Sequence, residues 1–510
     1  MIEVTTEFNN LANGGFRPLE WEAGVAWDKA LSSNGWFTLD LSTLDGVDLL
    51  APNNLDPIMP WNQYEYHDES DRLIDMTVER SVQFPYNVQS AMMDLTLNNY
   101  DGRYSFDGGS EIQDYILPNR PIKTSLGFTT AGTVPVFIGV TEEMPEYSGV
   151  HNAQVQMSAI DYLSMIAQTS LDDMLMMRNV RTDEVIAEIL QRYGLVPSQY
   201  TLEEGVNTIP FVYFSAGKNA GNALKELVQA ENGALWMDEK GQIRFSARNA
   251  EAGASVMTYT PENIVEITPS RTAGIVNRVK ITADIREVKP NQQIFSNDNS
   301  SGYQSTASSD NYRIAARGAR DIWVSLDDPA WTANVNPVLN GGANTSMFNA
   351  VNLSGTKINS GVTCTGTLLA DSVKLSFINT NSTPVSISYL QLWGQPAKVI
   401  GGSPTIVYDA YDDLSVDRFG EQVLEINDNT CFGNYDNVDA FATDILMKYA
   451  GYNPTIDLKV KGNPALQLYD VITLEDTDDY DGVWRVVGTK HNLSKSGLET
   501  HLTLLRNVEE

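Results

Sequence analysis

The stretch AMMDLTLNNYDGRYSFDGGSEIQDYILPNRPIKTSLGF, residues 91–128, shows the fold class most clearly. Within it, residues 93–98 alternate apolar and polar side chains, which is the period of two of a strand with one buried face. The Asp101-Gly102 pair then reverses the chain, because Asp bonds its own nearby backbone and Gly accepts a positive φ without a steric cost. The stretch therefore predicts a strand that ends in a tight turn.

A second strand follows after a polar loop. Pro118 and Pro121 exclude a helix at this point, since a proline restricts the residue before it to extended backbone. Residues 122–128 then alternate again, with the apolar Ile122 and Leu126 on the same side. Short strands separated by closely spaced turns are typical of a β-barrel or a β-sandwich.

The size and charge of the chain limit the classes to which it can belong. At 510 residues it exceeds the usual size of one hydrophobic core, so we expect three or four domains. Lys and Arg number 34 against 66 Asp and Glu, which gives a formal net charge of -32. Proteins that wrap DNA neutralise its phosphates with clusters of Lys and Arg, so this balance argues against such a role.

The cysteines and the first residues bear on the compartment. Cys364 and Cys431 are too few for the disulfide framework of a small secreted protein, and we expect folding in a reducing cytoplasm. The start MIEVTTEFNN lacks the basic residues and apolar core of a signal peptide, and no apolar run approaches the roughly 20 residues of a membrane span. We expect neither export by a signal peptide nor a membrane-spanning segment.

No signature of catalysis or metal binding stands out in the sequence. A His-Glu-x-x-His pattern is absent among the four histidines, His67, His151, His491 and His501. Structural or solvent-exposed roles are expected for His491 and His501, on neighbouring strands of the last hairpin. The acidic residues 476–481 depart from the Asp-x-Asp-x-Asp-Gly spacing of a calcium loop. A solvated hairpin loop is the preferred interpretation there, with a weak metal site as the alternative. We predict no catalytic residue, no metal and no cofactor.

The first 165 residues carry a series of motifs in a fixed order. Leu-Asn-Asn-x-Asp-Gly-Arg-Tyr-Ser at 97–105 is followed by Leu-Pro-x-Arg-Pro-Ile at 117–122, Phe-Ile-Gly at 137–139 and Ile-Asp-Tyr-Leu at 160–163. Any one of these pieces occurs in many β proteins. Their order over about seventy positions resembles the N-terminal barrel of hub and minor tail proteins at bacteriophage tail tips.

Later segments extend the resemblance. Residues 182–194 and 219–233 predict two helices, and residues 234–246 predict a hairpin that turns at Gly241, similar to the α+β unit of this family. A third helix is predicted before residue 450. Thr182 and Asn437 are the predicted N-caps of the first and third helices.

The end of the chain predicts four strands over residues 455–504. Asp470, Trp484 and His491 occur there where the tail-hub family has its last strand motifs.

The resemblance implies a mainly β fold with α+β parts. We expect two tail-hub β-barrels, a small α+β domain between them and an inserted antiparallel β-sandwich. The expected domains are 1–165 for the N-terminal strands and first barrel, 166–262 for the α+β domain, 263–284 plus 411–510 for the second barrel with a helix, and 285–410 for the inserted linker and sandwich. Within the insertion, residues 291–311 are rich in Ser, Asn and Asp and predict a mobile linker.

The residues that carry the resemblance are expected at turns and strand starts rather than at a catalytic centre. They are Asp101, Gly102, Arg103, Pro118, Arg120, Pro121, Asp161, Gly241, Asp470 and Trp484.

The function implied by the resemblance is structural, without catalytic activity. It is a homotrimeric ring at the tail tip or baseplate of a bacteriophage, which caps the tail tube, adapts sixfold to threefold symmetry and lets DNA pass during ejection without specific binding. The implied partners are the tail tube and distal tail proteins, the tape measure protein, and tail fibre or receptor-binding proteins. The implied location is the tail tip of the virion, after assembly in the host cytoplasm.

Two other functions stay open. Residues 312–408 are low in charge and rich in Thr and Asn, as carbohydrate-binding modules and inert spacers are, so a host-surface carbohydrate binder acting through this sandwich is the main alternative. A tail-associated glycosidase or peptidase is the third hypothesis, although the sequence shows no catalytic constellation. Under the first hypothesis, we expect part of the acidic excess to line the channel, because carboxylates repel the phosphates of DNA.

Overall fold

The computed structural model describes residues 1–14, 17–29, 64–82, 87–105, 109–142, 146–147, 153–172, 174, 176–248, 253–270, 274–298, 312–401, 403–451 and 455–506. The helices of this part are α1 (Thr6–Asn13), α2 (Tyr162–Ala167), α3 (Thr182–Arg192), α4 (Ala220–Glu231), α5 (Asp413–Phe419) and α6 (Tyr435–Tyr449).

The strands before the insertion are β1 (Leu19–Val25), β2 (His67–Asp68), β3 (Leu73–Ser81), β4 (Asn87–Val88), β5 (Met92–Asn98), β6 (Pro121–Phe128), β7 (Gly132–Thr141), β8 (Glu146–Tyr147), β9 (Gln154–Ile160), β10 (Met177–Arg181), β11 (Tyr200–Leu202), β12 (Thr208–Val212), β13 (Ala234–Met237), β14 (Ile243–Ser246), β15 (Met257–Tyr259), β16 (Ile264–Ser270) and β17 (Arg278–Ala283).

The later strands are β18 (Arg286–Val288), β19 (Gln292–Asp298), β20 (Arg313–Ile314), β21 (Ala319–Ser325), β22 (Ala330–Ala333), β23 (Val338–Leu339), β24 (Met347–Asn352), β25 (Lys357–Ile358), β26 (Val362–Leu368), β27 (Ser372–Asn379), β28 (Val385–Val399), β29 (Ile406–Tyr411), β30 (Val423–Ile426), β31 (Thr455–Lys461), β32 (Val471–Leu474), β33 (Gly482–Ser494) and β34 (Gly497–Arg506).

One sheet of 14 strands joins the two ends of the chain. Its order is β16-β31-β34-β33-β3-β5-β9-β7-β6-β1-β2, with β8, β15 and β32 beside this path. The junction is the antiparallel pair of β3 and β33, in which Met76 lies opposite Leu493. The predicted mainly β class is confirmed. The expected two closed barrels are not seen among the described strands, because β33 pairs with strands of both halves and leaves them as one open sheet.

Each half of this sheet has its own apolar core. The N-terminal core includes Val78, Leu95 and Phe137, and the C-terminal core includes Leu458 and Trp484. Because side chains alternate along a strand, filling these cores with every second residue leaves the intervening residues on the opposite face.

A smaller α+β unit packs beside the large sheet. Its four-stranded sheet has the order β11-β14-β13-β4, and the predicted hairpin is the pair β13–β14, with Leu235 opposite Phe245. Helix α4 ends as the sequence predicts, with Asn232 in the left-handed conformation at φ 53°. Helices α3, α4 and α6 share one apolar core with a three-stranded sheet, β29-β17-β30. The division of the chain into domains stays a prediction.

Both predicted helix caps are wrong by one to three residues. Thr182 is the first residue of α3 rather than its cap, and its hydroxyl donates instead to the buried carboxylate of Glu231 at 2.8 Å. Helix α6 is capped by Asn434, whose side chain accepts from the backbone N–H of Asn437 at 2.7 Å. Asn434 has the extended backbone that a cap requires, whereas Asn437 already lies in the helix.

The inserted segment contains two facing sheets around an apolar core that includes Phe348, Phe377 and Leu390. The linker prediction for residues 291–311 is wrong where β19 pairs with β28. The physical reason is that Ile294 and Phe295 pack into the sandwich core despite the polar residues around them. Residues 299–311 lie outside the described residues.

Candidate functional site

The turn after β5 is held by the side chains of the motif that the sequence analysis singled out. Asn99 accepts from the backbone N–H of Tyr104 at 2.9 Å and donates to the hydroxyl of Ser105 at 3.1 Å. Gly102 takes the left-handed conformation at φ 71°. The predicted turn geometry is therefore present at this position.

The charged residues of the turn bind Glu69 and Arg72, which lie at the short helical turn just before β3. Arg72 donates two hydrogen bonds to Asp101, at 2.8 and 2.6 Å, and these bonds lower the pKa of Asp101 to about 2. Arg103 donates to the buried carboxylate of Glu69 at 2.9 Å. Glu69 also accepts from Trp27 at 2.9 Å and from the hydroxyl of Tyr104. We call Glu69, Trp27, Arg72, Arg103 and Tyr104 the Glu69 cluster.

The other predicted motif residues also lie at chain reversals. The backbone N–H of Arg120 donates to the Thr141 hydroxyl at 2.9 Å, and the Arg120 carbonyl accepts from the backbone N–H of Thr141. Pro121 then begins β6. Pro118 lies in the preceding bend. Asp161 caps α2 by accepting from the N–H of Ser164 at 2.7 Å, and its second oxygen accepts from the N–H of Ala91 at 2.7 Å. Burial raises the pKa of Asp161.

The last three motif residues are Gly241, Asp470 and Trp484. Gly241 has φ 83° in the turn between β13 and β14. Asp470 accepts from the N–H of Gln467 at 2.7 Å and from the amino group of Met1. Trp484 is buried and donates to the carbonyl of Tyr480 at 2.9 Å. These ten residues are spread over the fold and do not converge on one pocket.

A polar face of the large sheet crosses both halves of the molecule. We call the solvent face of β16, β31, β34, β33, β3, β5 and β9 the polar wall. Its residues, placed side by side by the strand registers, are Glu266, Thr268, Asp457, Lys459, Lys461, Glu499, His501, Thr503, Lys490, Asn492, Asp75, Thr77, Glu79, Asp94, Thr96, Gln156 and Ser158.

Hydroxyl groups fix the Asp side chains of the polar wall. Asp75 accepts from Thr96 at 2.8 Å, Asp94 from Ser158 at 2.6 Å and Asp457 from Thr503 at 2.8 Å. In each case the donor lies on the neighbouring strand. Such cross-strand bonds orient a carboxylate without neutralising its charge.

The Glu side chains of the wall are paired differently. Glu79 binds Lys490 at 3.0 Å and Glu499 binds Lys459 at 2.9 Å. The wall residues named above include six carboxylates and three lysines, so the wall has a net negative charge. The sequence predicts these strands but not their common face, because the N-terminal and C-terminal strands are joined only by the pairing of β3 with β33. The alternation of charged residues in β3 and β31 is the signal that was available.

A second buried charge lies behind the wall, where the α+β unit meets the sheet. Arg80 of β3 and Glu239 of the β13–β14 turn are both buried, with their charged atoms 3.5 Å apart. Gln467 donates to Glu239. His491 of β33 is also buried, its Nδ1 lies 2.9 Å from the Thr500 hydroxyl, and burial and the nearby Arg80 lower its pKa to about 3. We call Arg80, Glu239, Gln467 and His491 the Arg80 cluster. No local pattern in the sequence indicates that these four residues meet.

The remaining candidates show no convergent chemistry in the part of the chain that the structure describes. His491 and His501 lie on the paired strands β33 and β34, while His151 lies outside the described residues. In the acidic loop, Asp481 accepts from the N–H of Thr477 at 2.6 Å. Across the described ranges, no group of three or more His, Cys, Asp or Glu could hold a metal ion.

The cysteines and helices can be placed as well. Cys364 and Cys431 are both buried and free. Among the helices that the structure describes, none combines the length and the apolar character needed to cross a membrane.

Comparison with known proteins gives matches among solved structures only. No family model and no curated protein matches the chain. A tail protein from Neisseria meningitidis is similar with a TM-score of 0.47 at 10% identity, over 87% of this chain and 94% of that protein. The 43 kDa tail protein of a Shewanella oneidensis prophage is similar with a TM-score of 0.44 at 10% identity, over 87% and 96%.

A third similar structure comes from Escherichia coli. It is a component of the type VI secretion system, described as similar to tail proteins of bacteriophage T4, with a TM-score of 0.38 at 8% identity over 86% of this chain and 74% of that protein. Two of these three structures are named tail proteins, and the third is described as similar to tail proteins.

Proposed function

We propose that this chain is a non-catalytic structural protein of a bacteriophage tail tip or baseplate, in which three copies form a ring that caps the tail tube. The polar wall carries the proposal. It gives each copy one broad, smooth, charged surface that is shared by the N-terminal and C-terminal strands. A surface of that kind suits the lining of an aqueous channel better than a protein–protein interface, because the core of such an interface would be apolar.

The width of the wall favours three copies over other numbers. Strands lie about 4.8 Å apart, so seven of them span about 34 Å. Three such walls form a perimeter of about 100 Å, which corresponds to a channel about 32 Å across between backbones. Once side chains are subtracted, the opening is of the same order as a DNA duplex. Six copies would double the width and leave the duplex without a close wall.

The charge of the wall suits passage rather than binding. Three copies would present eighteen wall carboxylates against nine lysines, and these carboxylates would repel the phosphates of a passing duplex. Each copy also contributes two sheet halves with separate cores. Three copies would thus present six similar halves, which is how the ring would adapt the sixfold tube to a threefold tip.

The proposed partners and location follow from this role. We infer contacts with the tail tube and distal tail proteins, the tape measure protein, and tail fibre or receptor-binding proteins, in the virion at the tail tip. The insertion would lie outside the ring. It contacts the α+β unit, where the Arg178 guanidinium lies 4.8 Å from the Phe211 ring and 4.9 Å from the Trp331 ring.

The proposal is tested by locating the polar wall in an assembled particle by electron cryomicroscopy. The expected result is a threefold ring with Asp75, Asp94 and Asp457 facing the channel. A ring in which these residues face outward would contradict it.

A charge-reversal experiment tests the role of the wall in ejection. Replacing Asp75, Asp94 and Asp457 with Lys should leave particles assembled but slow DNA ejection, most of all at low ionic strength, since salt screens the attraction. The matched control reverses Asp417, Glu425 and Asp436, which are exposed on α5, β30 and α6 away from the wall. Equal slowing in both variants would show that the wall has no special role.

A further inference from the structure

A cleft of about 270 Å³ opens between the α+β unit and the large sheet. One side is the outer face of the four-stranded sheet, where Arg244 lies between Thr201 and Trp236 in the strand registers. The other side is formed by Tyr469 and by Arg485 of β33. The two sides touch at one end, where the rings of Trp236 and Tyr469 stack, and are apart at the other.

The side chain of Tyr469 is held in this cleft by an unusual backbone conformation. Its φ is 67°, in the left-handed region that bulky residues rarely adopt. The Tyr469 ring lies 4.8 Å from the Trp236 ring at an interplanar angle of 8°, and the Arg485 guanidinium lies 5.7 Å from the centre of the Tyr469 ring. Backbone strain of this kind is concentrated at ligand sites, where it places a side chain that ordinary backbone could not.

The cleft also offers hydrogen-bond donors and acceptors that are not used within the protein. Arg485 forms no ion pair with any residue that the structure describes, although its guanidinium has five N–H groups. On the opposite side, one oxygen of Glu203 accepts from the Ser246 hydroxyl at 3.1 Å and from the N–H of Ala247 at 3.0 Å. Its other oxygen has no hydrogen bond in the described part of the chain. Donors therefore face acceptors across a partly aromatic cleft.

We propose that this cleft binds a unit of a neutral saccharide. Sugar C–H groups pack on the parts of the Trp236 and Tyr469 rings that their mutual stack leaves open, since both side chains are partly exposed, and sugar hydroxyls both accept from guanidinium groups and donate to carboxylates. A neutral ligand is not repelled by a chain of net charge -32, as an acidic ligand would be, and a cationic ligand would leave Arg485 unmatched. The volume lies near the lower end of small-molecule sites, about 300 Å³, and suits one or two sugar rings.

The test is saturation-transfer NMR on the full chain with three probes, namely the trisaccharides of glucose, of galactose and of N-acetylglucosamine. We expect transfer to the ring protons of at least one probe. Arg485→Gln should weaken that binding roughly tenfold or more, because a charged hydrogen-bond donor is lost. Arg506→Gln is the matched control, since Arg506 lies 5.7 Å from the Trp484 ring in the same kind of contact outside the cleft.

A second variant separates loss of the site from loss of the fold. Tyr469→Gly removes the ring but suits the left-handed backbone, so it should abolish binding while the circular dichroism spectrum of the folded protein is kept. Absence of transfer from all three probes would overturn the proposal. Binding that survives both cleft variants would also overturn it. One such case is binding that is lost instead in Trp323→Ala, a variant of the inserted sandwich in which Trp323 is 58% exposed. None of these results depends on whether three copies form a ring.

Discussion

The Glu69 cluster and the Arg80 cluster each bury a carboxylate beside an arginine, but they are built in opposite ways. The members of the Glu69 cluster lie between residues 27 and 104, and Glu69 has hydrogen bonds from Trp27, Arg103 and Tyr104. The Arg80 cluster joins residues 80, 239, 467 and 491. Within the described residues, Nε and Nη1 of Arg80 and Nε2 of His491 make no hydrogen bond.

This difference separates two roles of buried charge. The Glu69 cluster fixes a local turn, and each group has its partner nearby, so its energy is that of several ordinary charged hydrogen bonds. The Arg80 cluster fixes the junction between the α+β unit and the two sheet halves. Its members Arg80, Glu239 and His491 are withdrawn from water and only partly hydrogen-bonded within the described residues, so breaking the cluster should cost more.

The largest expected effect comes from removing the cation of the junction. Arg80→Met leaves Glu239 buried without its counter-charge, and we expect a loss of about 3–5 kcal/mol in the free energy of unfolding. Urea unfolding followed by circular dichroism measures it. The double variant Arg80→Met/Glu239→Gln should recover most of the loss, because no unpaired charge is left.

The matched control breaks an exposed pair on the same strands. Lys490→Met removes the partner of Glu79, and we expect a loss below about 1 kcal/mol because both groups reach water. If Arg80→Met costs no more than Lys490→Met, the junction is not held by its buried charge.

The next largest effect is expected in the turn. Glu69→Gln keeps the shape of the side chain but removes the charge that faces Arg103 at 2.9 Å and Arg72 at 3.7 Å. We expect the free energy of unfolding to fall by about 2 kcal/mol, as for hydrogen bonds to charged groups. If the same urea titration shows that Glu69→Gln lowers the free energy of unfolding as much as Arg80→Met does, the two clusters do not differ in energy as described.

The junction should also give the protein a specific acid sensitivity. Folded His491 stays neutral down to about pH 3, whereas a histidine in an unfolded chain binds a proton near pH 6.5. The unfolded state therefore binds more protons between these values, and stability must fall as the pH is lowered through this range. For one proton the slope is about 1.4 kcal/mol per pH unit, so about 1.4 kcal/mol is lost by pH 5.5.

His491→Gln should remove that part of the pH dependence. Urea unfolding at pH 7.5, 6.5 and 5.5 measures the slope in both proteins. His67→Gln is the matched substitution, because it removes a histidine that lies on β2, outside the junction. An unaltered slope in His491→Gln would show that the histidine is not held neutral by its surroundings.

The smallest effect is expected at Asp101, on the exposed side of the turn. Its folded pKa of about 2 lies below that of an unfolded aspartate, about 3.9. Its contribution to the free energy of unfolding is therefore complete above the unfolded pKa and is lost as the pH falls through the folded pKa. Asp101→Asn should lower the free energy of unfolding at pH 7 by less than about 1 kcal/mol, since the Asp101 side chain is half exposed. The difference from the parent should narrow below pH 4, and a difference that is constant from pH 7 to 3 would contradict this account.

Which parts of this fold can be predicted from the sequence depends on how far apart along the chain the interacting residues are. The Asp101-Gly102 turn and the hairpin at Gly241 follow from local backbone preferences, and both are present. The strands of the large sheet are also local, because each alternates on its own. Their union into one sheet depends on the pairing of β3 with β33, some 400 residues apart, which no local pattern encodes.

The same limit applies to the candidate sites. Asp470 and Trp484 could be singled out from their motifs, but Tyr469 could not, because its left-handed backbone and its stack on Trp236 are set by the unit across the cleft. The polar composition around Ile294 led to the wrong prediction of a linker, because two apolar residues are enough to pack β19 into the sandwich core. Burial and partner identity at a junction are properties of the fold rather than of any segment.

The proposed ring of three copies is tested most directly by the mass of the purified protein in solution. One chain has a mass of 56.3 kDa, and native mass spectrometry should give a species of about 169 kDa that persists on dilution. A monomer of 56.3 kDa at every concentration, or a hexamer of twice the trimer mass, would contradict the ring that the width of the polar wall predicts.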